Sequence, residues 1–109
     1  MPVKSIAPAE LSAWLSDPAR SRPLLLDVRE PWEFQKAQLE GSTLLPLREL
    51  PARFGELDAN AETVVICHHG GRSMQAALFL ERQGFARVHN LAGGVDAWAR
   101  SVDAAMPVY

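Results

Sequence analysis

The sequence predicts an α/β protein built on a parallel sheet, on three observations. Short apolar runs alternate along the chain with segments of helical period, the pattern of strands joined by crossover helices. The clearest runs, Leu24-Leu25-Leu26 and Thr63-Val64-Val65-Ile66, are continuous rather than alternating, as strands covered on both faces must be. Chain breakers such as Asp17-Pro18, Gly84 and Gly93-Gly94 punctuate the segments between them.

Taken in order, Val3 to Ile6 reads as a short opening strand. Pro8-Ala9-Glu10 starts a helix whose Leu11, Trp14 and Leu15 share one face, and Asp17-Pro18 ends it. Leu24 to Leu26 is the first buried strand. Pro31, with its preset φ, opens a short helix beside which Trp32 and Phe34 are expected to pack. Leu44 and Leu45 form a brief strand or extended piece. Leu47, Leu50, Phe54 and Leu57 recur at helical spacing, with Pro51 confining that helix to a start near itself. Thr63 to Ile66 is rich in β-branched residues and is the strongest strand. Ser73 to Gln83 is the strongest helix, with Met74, Ala77, Leu78 and Leu80 facing a core and Gly84 closing it. Arg87 to Leu91 is a last strand and Val95 to Ala99 a last helix. Residues 101–109 have no period and are expected to wrap the surface.

Composition narrows the function. At 109 residues the chain reads as one domain, 1–109, and its 48% apolar content suffices for a core. The net charge of -2 argues against nucleic acid as partner, because neutralising phosphates needs a surplus of Lys and Arg. No apolar run approaches a membrane span, and the start lacks a signal-peptide stretch. A lone cysteine, Cys67, makes no internal disulfide, which points to the cytoplasm.

The chemistry is concentrated in Cys67-His68-His69-Gly70-Gly71-Arg72-Ser73, between the best strand and the best helix. Open α/β sheets place their ligands at such a turn. The two glycines let successive N–H groups curl inward as an anion nest, the helix start adds its dipole, and Arg72 adds a full charge. A cysteine at the lip of that cradle is favoured as thiolate, its nucleophilic form. A buried structural cysteine would need none of these neighbours. His68 and His69, with Cys67 and His89, raise a metal site. Three consecutive residues do not easily turn to one tetrahedral ion, so no metal is expected and the histidines are read as lining the loop.

These residues resemble the rhodanese (sulfurtransferase) family. Leu26-Asp27-Val28-Arg29-Glu30 is similar to its early Asp-Val-Arg motif, with Glu33 at a familiar spacing. Cys67 to Arg72 is similar to its active-site loop, and Leu91-Ala92-Gly93-Gly94-Val95-Asp96-Ala97-Trp98 to its closing Gly-Gly…Trp motif. Where relatives often carry Gly-His-Ile and then Gly-Ala, this chain has Ala37-Gln38-Leu39-Glu40-Gly41-Ser42. The resemblance implies a rhodanese-like α/β fold, with about five parallel strands flanked by helices on both faces. It also implies sulfur transfer through a Cys67 persulfide, from thiosulfate or a persulfide donor to cyanide, a thiol or a protein acceptor. No cofactor is implied. Cys67 and Arg72 would be catalytic, and His68, His69, Gly70, Gly71 and Ser73 the substrate-binding loop. Asp27, Arg29 and Glu33 would be structural support.

Two rivals stand beside this reading. Phosphatases and arsenate reductases of related fold also place an arginine after a cysteine and a nest, but with about five residues between them, against four here. The tighter loop suits a terminal sulfur. A non-catalytic interaction module is the other rival, and such modules commonly lose the cysteine that this chain keeps.

Overall fold

The computed structural model describes residues 3–109. In chain order the elements are β1 (Lys4–Ile6), α1 (Pro8–Ser16), β2 (Leu24–Asp27), α2 (Pro31–Lys36) and β3 (Thr43–Leu44). There follow a 3-10 turn (Leu47–Glu49), α3 (Leu50–Arg53), a second 3-10 turn (Phe54–Glu56), β4 (Thr63–Ile66), α4 (Gly71–Arg82), β5 (Val88–Leu91) and α5 (Gly94–Ser101). The five strands form one sheet in the order β1-β5-β4-β2-β3, with every pair parallel.

The continuous apolar strands are explained by two cores. Successive residues of a strand point to opposite faces. Val64 and Ile66 of β4, with Leu25 of β2, therefore meet Leu11 and Trp14 of α1 and Val95 and Trp98 of α5. Val65 and Cys67, with Leu26 and Val28, meet Leu50 of α3 and Ala76, Ala77 and Leu80 of α4. β4 is the middle strand, and its register with β2 sets Asp27 opposite Ile66, so both strands leave the sheet at the same edge. The strand order reverses between β2 and β4, which makes this edge the crevice where open α/β sheets bind ligands. Among the described residues, no helix is long and apolar enough to cross a membrane.

Four expectations are corrected. The helical spacing from Leu47 to Leu57 does not make one helix. Leu50 is buried and the others half-buried, but Pro51 lacks the N–H that would carry the preceding turn forward, and the segment breaks into a 3-10 turn, one α turn and another 3-10 turn. Helix α4 begins at Gly71, two residues early, and buries Ser73, Ala76, Ala77 and Leu80, while Leu78 stays 39% exposed and Met74 half-buried. The polar Ser73 sets that phase. Trp32 does not pack into the body of the protein and is 57% exposed. The brief third strand is Thr43–Leu44, one residue before the expected position.

Below the edge lies a fully buried ion pair. Arg29 Nη2 bonds Asp27 Oδ2 at 2.6 Å, and both side chains are out of solvent. The guanidinium also donates from Nε to both carboxylate oxygens, from Nη2 to the Ala37 carbonyl at 2.5 Å, and from Nη1 to the Glu33 carbonyl at 3.2 Å and the Tyr109 hydroxyl at 2.7 Å. Burial works against its charge, but the bonds it donates to Asp27 and Tyr109 outweigh it and hold the Arg29 pKa above its ordinary value. Removing one partner leaves the other as an uncompensated buried charge. Arg29→Leu is therefore expected to cost about 3–5 kcal/mol in urea unfolding, against a near-neutral effect for an exposed Arg100→Leu.

Candidate active site

Cys67 follows β4 directly and is 1% exposed, on the α3/α4 side of the sheet. The loop after it is shaped by what holds its carbonyls. Val95 N–H donates to the Cys67 carbonyl at 2.8 Å and Asp96 N–H to the His68 carbonyl at 3.0 Å, both from the first turn of α5. The Gly70 carbonyl accepts from Met74 N–H at 3.1 Å and from Asn90 Nδ2 at 3.2 Å. In a trans peptide the N–H points opposite the C=O. Tying these carbonyls outward turns the N–H groups of His68, His69 and Gly71 the other way. The Gly70 N–H donates to Cys67 Sγ at 3.0 Å.

Two glycines are required for different reasons. Gly70 has φ +104, a left-handed conformation that turns the loop into α4. Gly94 carries α5 against the loop so closely that a Cβ there would lie 2.3 Å from the Cys67 oxygen and 2.5 Å from the His68 oxygen. Gly71, by contrast, is the first helical residue of α4 and a Cβ on it would meet nothing within 4 Å. The expectation that both Gly70 and Gly71 curl the loop is thus corrected to Gly70 alone.

The sulfur has a second polar contact. The Cys67 thiol donates to Ser73 Oγ at 3.2 Å, and the Ser73 hydroxyl donates to Asn90 Oδ1. Ser73 is fully buried and Asn90 nearly so. Asn90 was not singled out from the sequence. Its signal was a polar amide inside the apolar run Val88 to Leu91, since a buried amide must find partners.

Arg72 reaches back across the site to α2. Its Nη1 and Nη2 bond Glu33 Oε1 and Oε2 at 2.6 and 2.8 Å, a bidentate clamp. Glu33 also accepts from the Glu30 N–H, three residues earlier, at 3.0 Å and from the Tyr109 hydroxyl at 3.0 Å, so each oxygen has two donors. Arg72 above all, then the Glu30 N–H and the Tyr109 hydroxyl, outweigh burial and hold the Glu33 carboxyl down to about 2. Glu33, Arg29 and Asp27 thus form a charged layer directly beneath Arg72.

The histidines divide. The His68 ring stacks on Tyr109 at 3.9 Å with 4° between planes, and meets the His69 ring tilted by 32° at 3.9 Å. Burial, then the neighbouring His69, lowers the His68 pKa and favours the neutral ring. His69 lies outside, its Nε2 4.0 Å from Asp96 Oδ2. His68, His69 and Asp96 bring possible ligand atoms within 4.8 Å of one another. Asp96 already accepts from Arg100 Nε at 3.1 Å, so its carboxylate has a partner without an ion. His89 pairs with Glu62 at 2.8 Å, in register with Val64 and three residues short of Cys67.

The model of the rhodanese-like domain matches residues 7–101. The chain belongs to the rhodanese-like sulfurtransferase family. It is 40% identical over 77 residues to a sulfurtransferase of Allochromatium vinosum, covering 71% of this chain and 72% of that protein. It is 39% identical over 75 residues to the thiosulfate sulfurtransferase GlpE of Pseudomonas fluorescens, covering 69% of each. A chloroplastic Rhodanese-like/PpiC domain-containing protein of Arabidopsis thaliana is 41% identical over 113 residues, which is 99% of this chain but 38% of that protein. Among solved structures, a rhodanese-related protein of Thermoplasma volcanium superposes with TM-score 0.79 at 30% identity over 97% of both chains. The five-stranded parallel sheet and its flanking helices are the rhodanese-like fold.

Two outcomes follow for this rhodanese-like site. Gly94→Ala should lose stability in urea unfolding by about 2 kcal/mol or more, because backbone must move and φ +62 favours glycine; Gly71→Ala should gain about 0.4–1 kcal/mol. The Glu33 carboxyl is depressed in the folded state, so the clamp's stabilisation is complete above the ordinary carboxyl value near 4.5 and is lost as pH falls toward about 2. The stability gap between wild type and Glu33→Gln should accordingly stay constant from neutral pH to about 5 and close below that.

Proposed function

We propose that this chain is a thiosulfate sulfurtransferase working in two half-reactions through a Cys67 persulfide. The observation that carries the reading is the sulfur held at the carboxyl end of β4, with a loop N–H on it and outward-tied carbonyls around it. The Cys67 thiolate attacks the outer sulfur of thiosulfate. The S–S bond of thiosulfate breaks, sulfite leaves with the electron pair, and Cys67 carries a persulfide. An acceptor nucleophile, a thiol or protein thiol in the cell and cyanide in an assay, then attacks the outer sulfur. The persulfide S–S bond breaks and the Cys67 thiolate returns. Splitting the transfer in two gives ping-pong kinetics.

In this reading the N–H groups of the loop stabilise the anionic persulfide, as backbone donors do for developing negative charge. Ser73 Oγ accepts the hydrogen bond of the Cys67 thiol before the sulfur ionises. Arg72, fixed in direction by Glu33, offers its remaining N–H to the sulfonate of the donor. Asp27 and Arg29 hold the layer on which Glu33 rests. No metal or cofactor takes part, and one domain carries the reaction in a reducing compartment such as the cytoplasm, where a single reactive thiol survives.

Thiosulfate should add the mass of one sulfur atom to the protein, removable by dithiothreitol and absent in Cys67→Ser. Arg72→Ala should slow loading from thiosulfate about tenfold or more, the scale of a lost charge-assisted hydrogen bond. Hydrolysis of p-nitrophenyl phosphate should be negligible. Robust phosphatase turnover without sulfur uptake would replace this reading with the phosphatase rival.

A further inference from the structure

The segment after α5 does more than wrap the surface. It turns back at Val102 and Asp103, whose N–H groups donate to the Trp98 carbonyl at 2.8 and 3.0 Å, and it is pinned by Met106, buried in the core between α1 and α5. Three residues later Tyr109 arrives at the cysteine loop. Its ring lies flat on His68, the residue next to Cys67, and the edge of Trp32 closes on it at 5.9 Å and 72°. Its hydroxyl accepts from Arg29 Nη1 at 2.7 Å and donates to Glu33 Oε2 at 3.0 Å.

We propose that Tyr109 is a positioning residue of the active site, holding the cysteine loop by its ring and the Glu33–Arg72 pair by its hydroxyl. The kinetic consequence rests on the sulfur-transfer reading, whereas the effect on the loop rests on geometry alone.

The two contacts do separate work. Glu33 Oε2 is shared between Arg72 Nη2 and the phenol, so the phenol fixes the plane of the carboxylate. A bidentate guanidinium lies in the plane of its carboxylate, so that plane sets the direction of Arg72. The phenol must stay protonated to donate to Glu33. Burial, only partly offset by the Arg29 contact, raises its pKa and keeps it so. The stacked ring in turn restrains the His68 peptide, whose carbonyl is bound by Asp96 N–H and whose neighbours carry the inward N–H groups. Trp32, exposed and without a place in either core, gains its reason here as the outer support of the tyrosine ring.

Tyr109→Phe keeps the stack and removes both hydroxyl bonds; Tyr109→Leu removes both contacts. Amide hydrogen exchange and the rates of persulfide formation and discharge would be measured on the whole chain. In Tyr109→Phe, loading from thiosulfate should fall about tenfold, with discharge of a preformed persulfide to cyanide within about twofold of wild type, since cyanide has no sulfonate for Arg72 to meet. Its loop amides should exchange as in wild type. In Tyr109→Leu the amides of Gly70, Val95 and Asp96, whose bonds hold the loop, should exchange about tenfold faster, while those of β4 and β5 keep their protection, which separates a loosened loop from a destabilised fold. Wild-type loading in both variants, or unchanged loop exchange in Tyr109→Leu, would overturn the proposal. A wild-type protein that takes no sulfur from thiosulfate would overturn the sulfur-transfer reading instead. The loop exchange in Tyr109→Leu would then decide the role of Tyr109 by itself.

Discussion

The first N–H groups of α5 are bound by the carbonyls of Cys67 and His68, and the geometry of the site hangs on that contact. A helix start leaves N–H groups without partners, and proteins usually meet them with a capping side chain or an anion. Here a loop supplies them with carbonyls, and the same bonds aim the loop's own N–H groups away from α5. Two helix starts thus do different tasks: that of α5 shapes the loop, and that of α4 carries Arg72 and Ser73 out of it. The close approach leaves no space for a side chain at Gly94, which gives a physical reason for the Gly-Gly pair in the closing motif of this rhodanese-like chain.

Beneath the loop lies a stack of two ion pairs joined by a neutral phenol: Asp27 with Arg29, then Tyr109, then Glu33 with Arg72. Buried ion pairs contribute little net stability against apolar residues of the same volume, because desolvation offsets their attraction. What they supply is direction. The Arg29 guanidinium meets Asp27, two backbone carbonyls and the phenol, and each Glu33 oxygen has two donors, so no member can turn without breaking bonds in a low-dielectric setting. An arginine that ends in such a stack keeps its heading, although its tip is partly open to solvent.

The polar contacts of Cys67 follow the same logic on the other side. Ser73 and Asn90 pass a hydrogen bond from the thiol to the sheet, and Asn90 returns one to the Gly70 carbonyl. The buried face of α4 is read from this. Ser73, Ala76, Ala77 and Leu80 follow the i, i+3, i+4, i+7 stripe from the residue that must meet the sulfur, and Leu78 is left outside it.

Features that depend on neighbours in the chain were legible from the sequence alone. Continuous apolar runs marked β2 and β4, because two-sided burial leaves no polar alternation. Pro8, Pro31 and Gly84 marked helix ends through backbone constraints that act locally, and the cysteine-glycine-arginine loop between strand and helix marked the candidate site. Tertiary structure alone decided what meets across the fold. Glu33 lies 39 positions from Arg72 and Tyr109 lies 76 from Glu33, separations at which no periodicity or spacing carries information. Burial of Asp27, Arg29 and Asn90 is favourable only when partners from other elements arrive, so their place in the interior follows from packing and not from their own preferences.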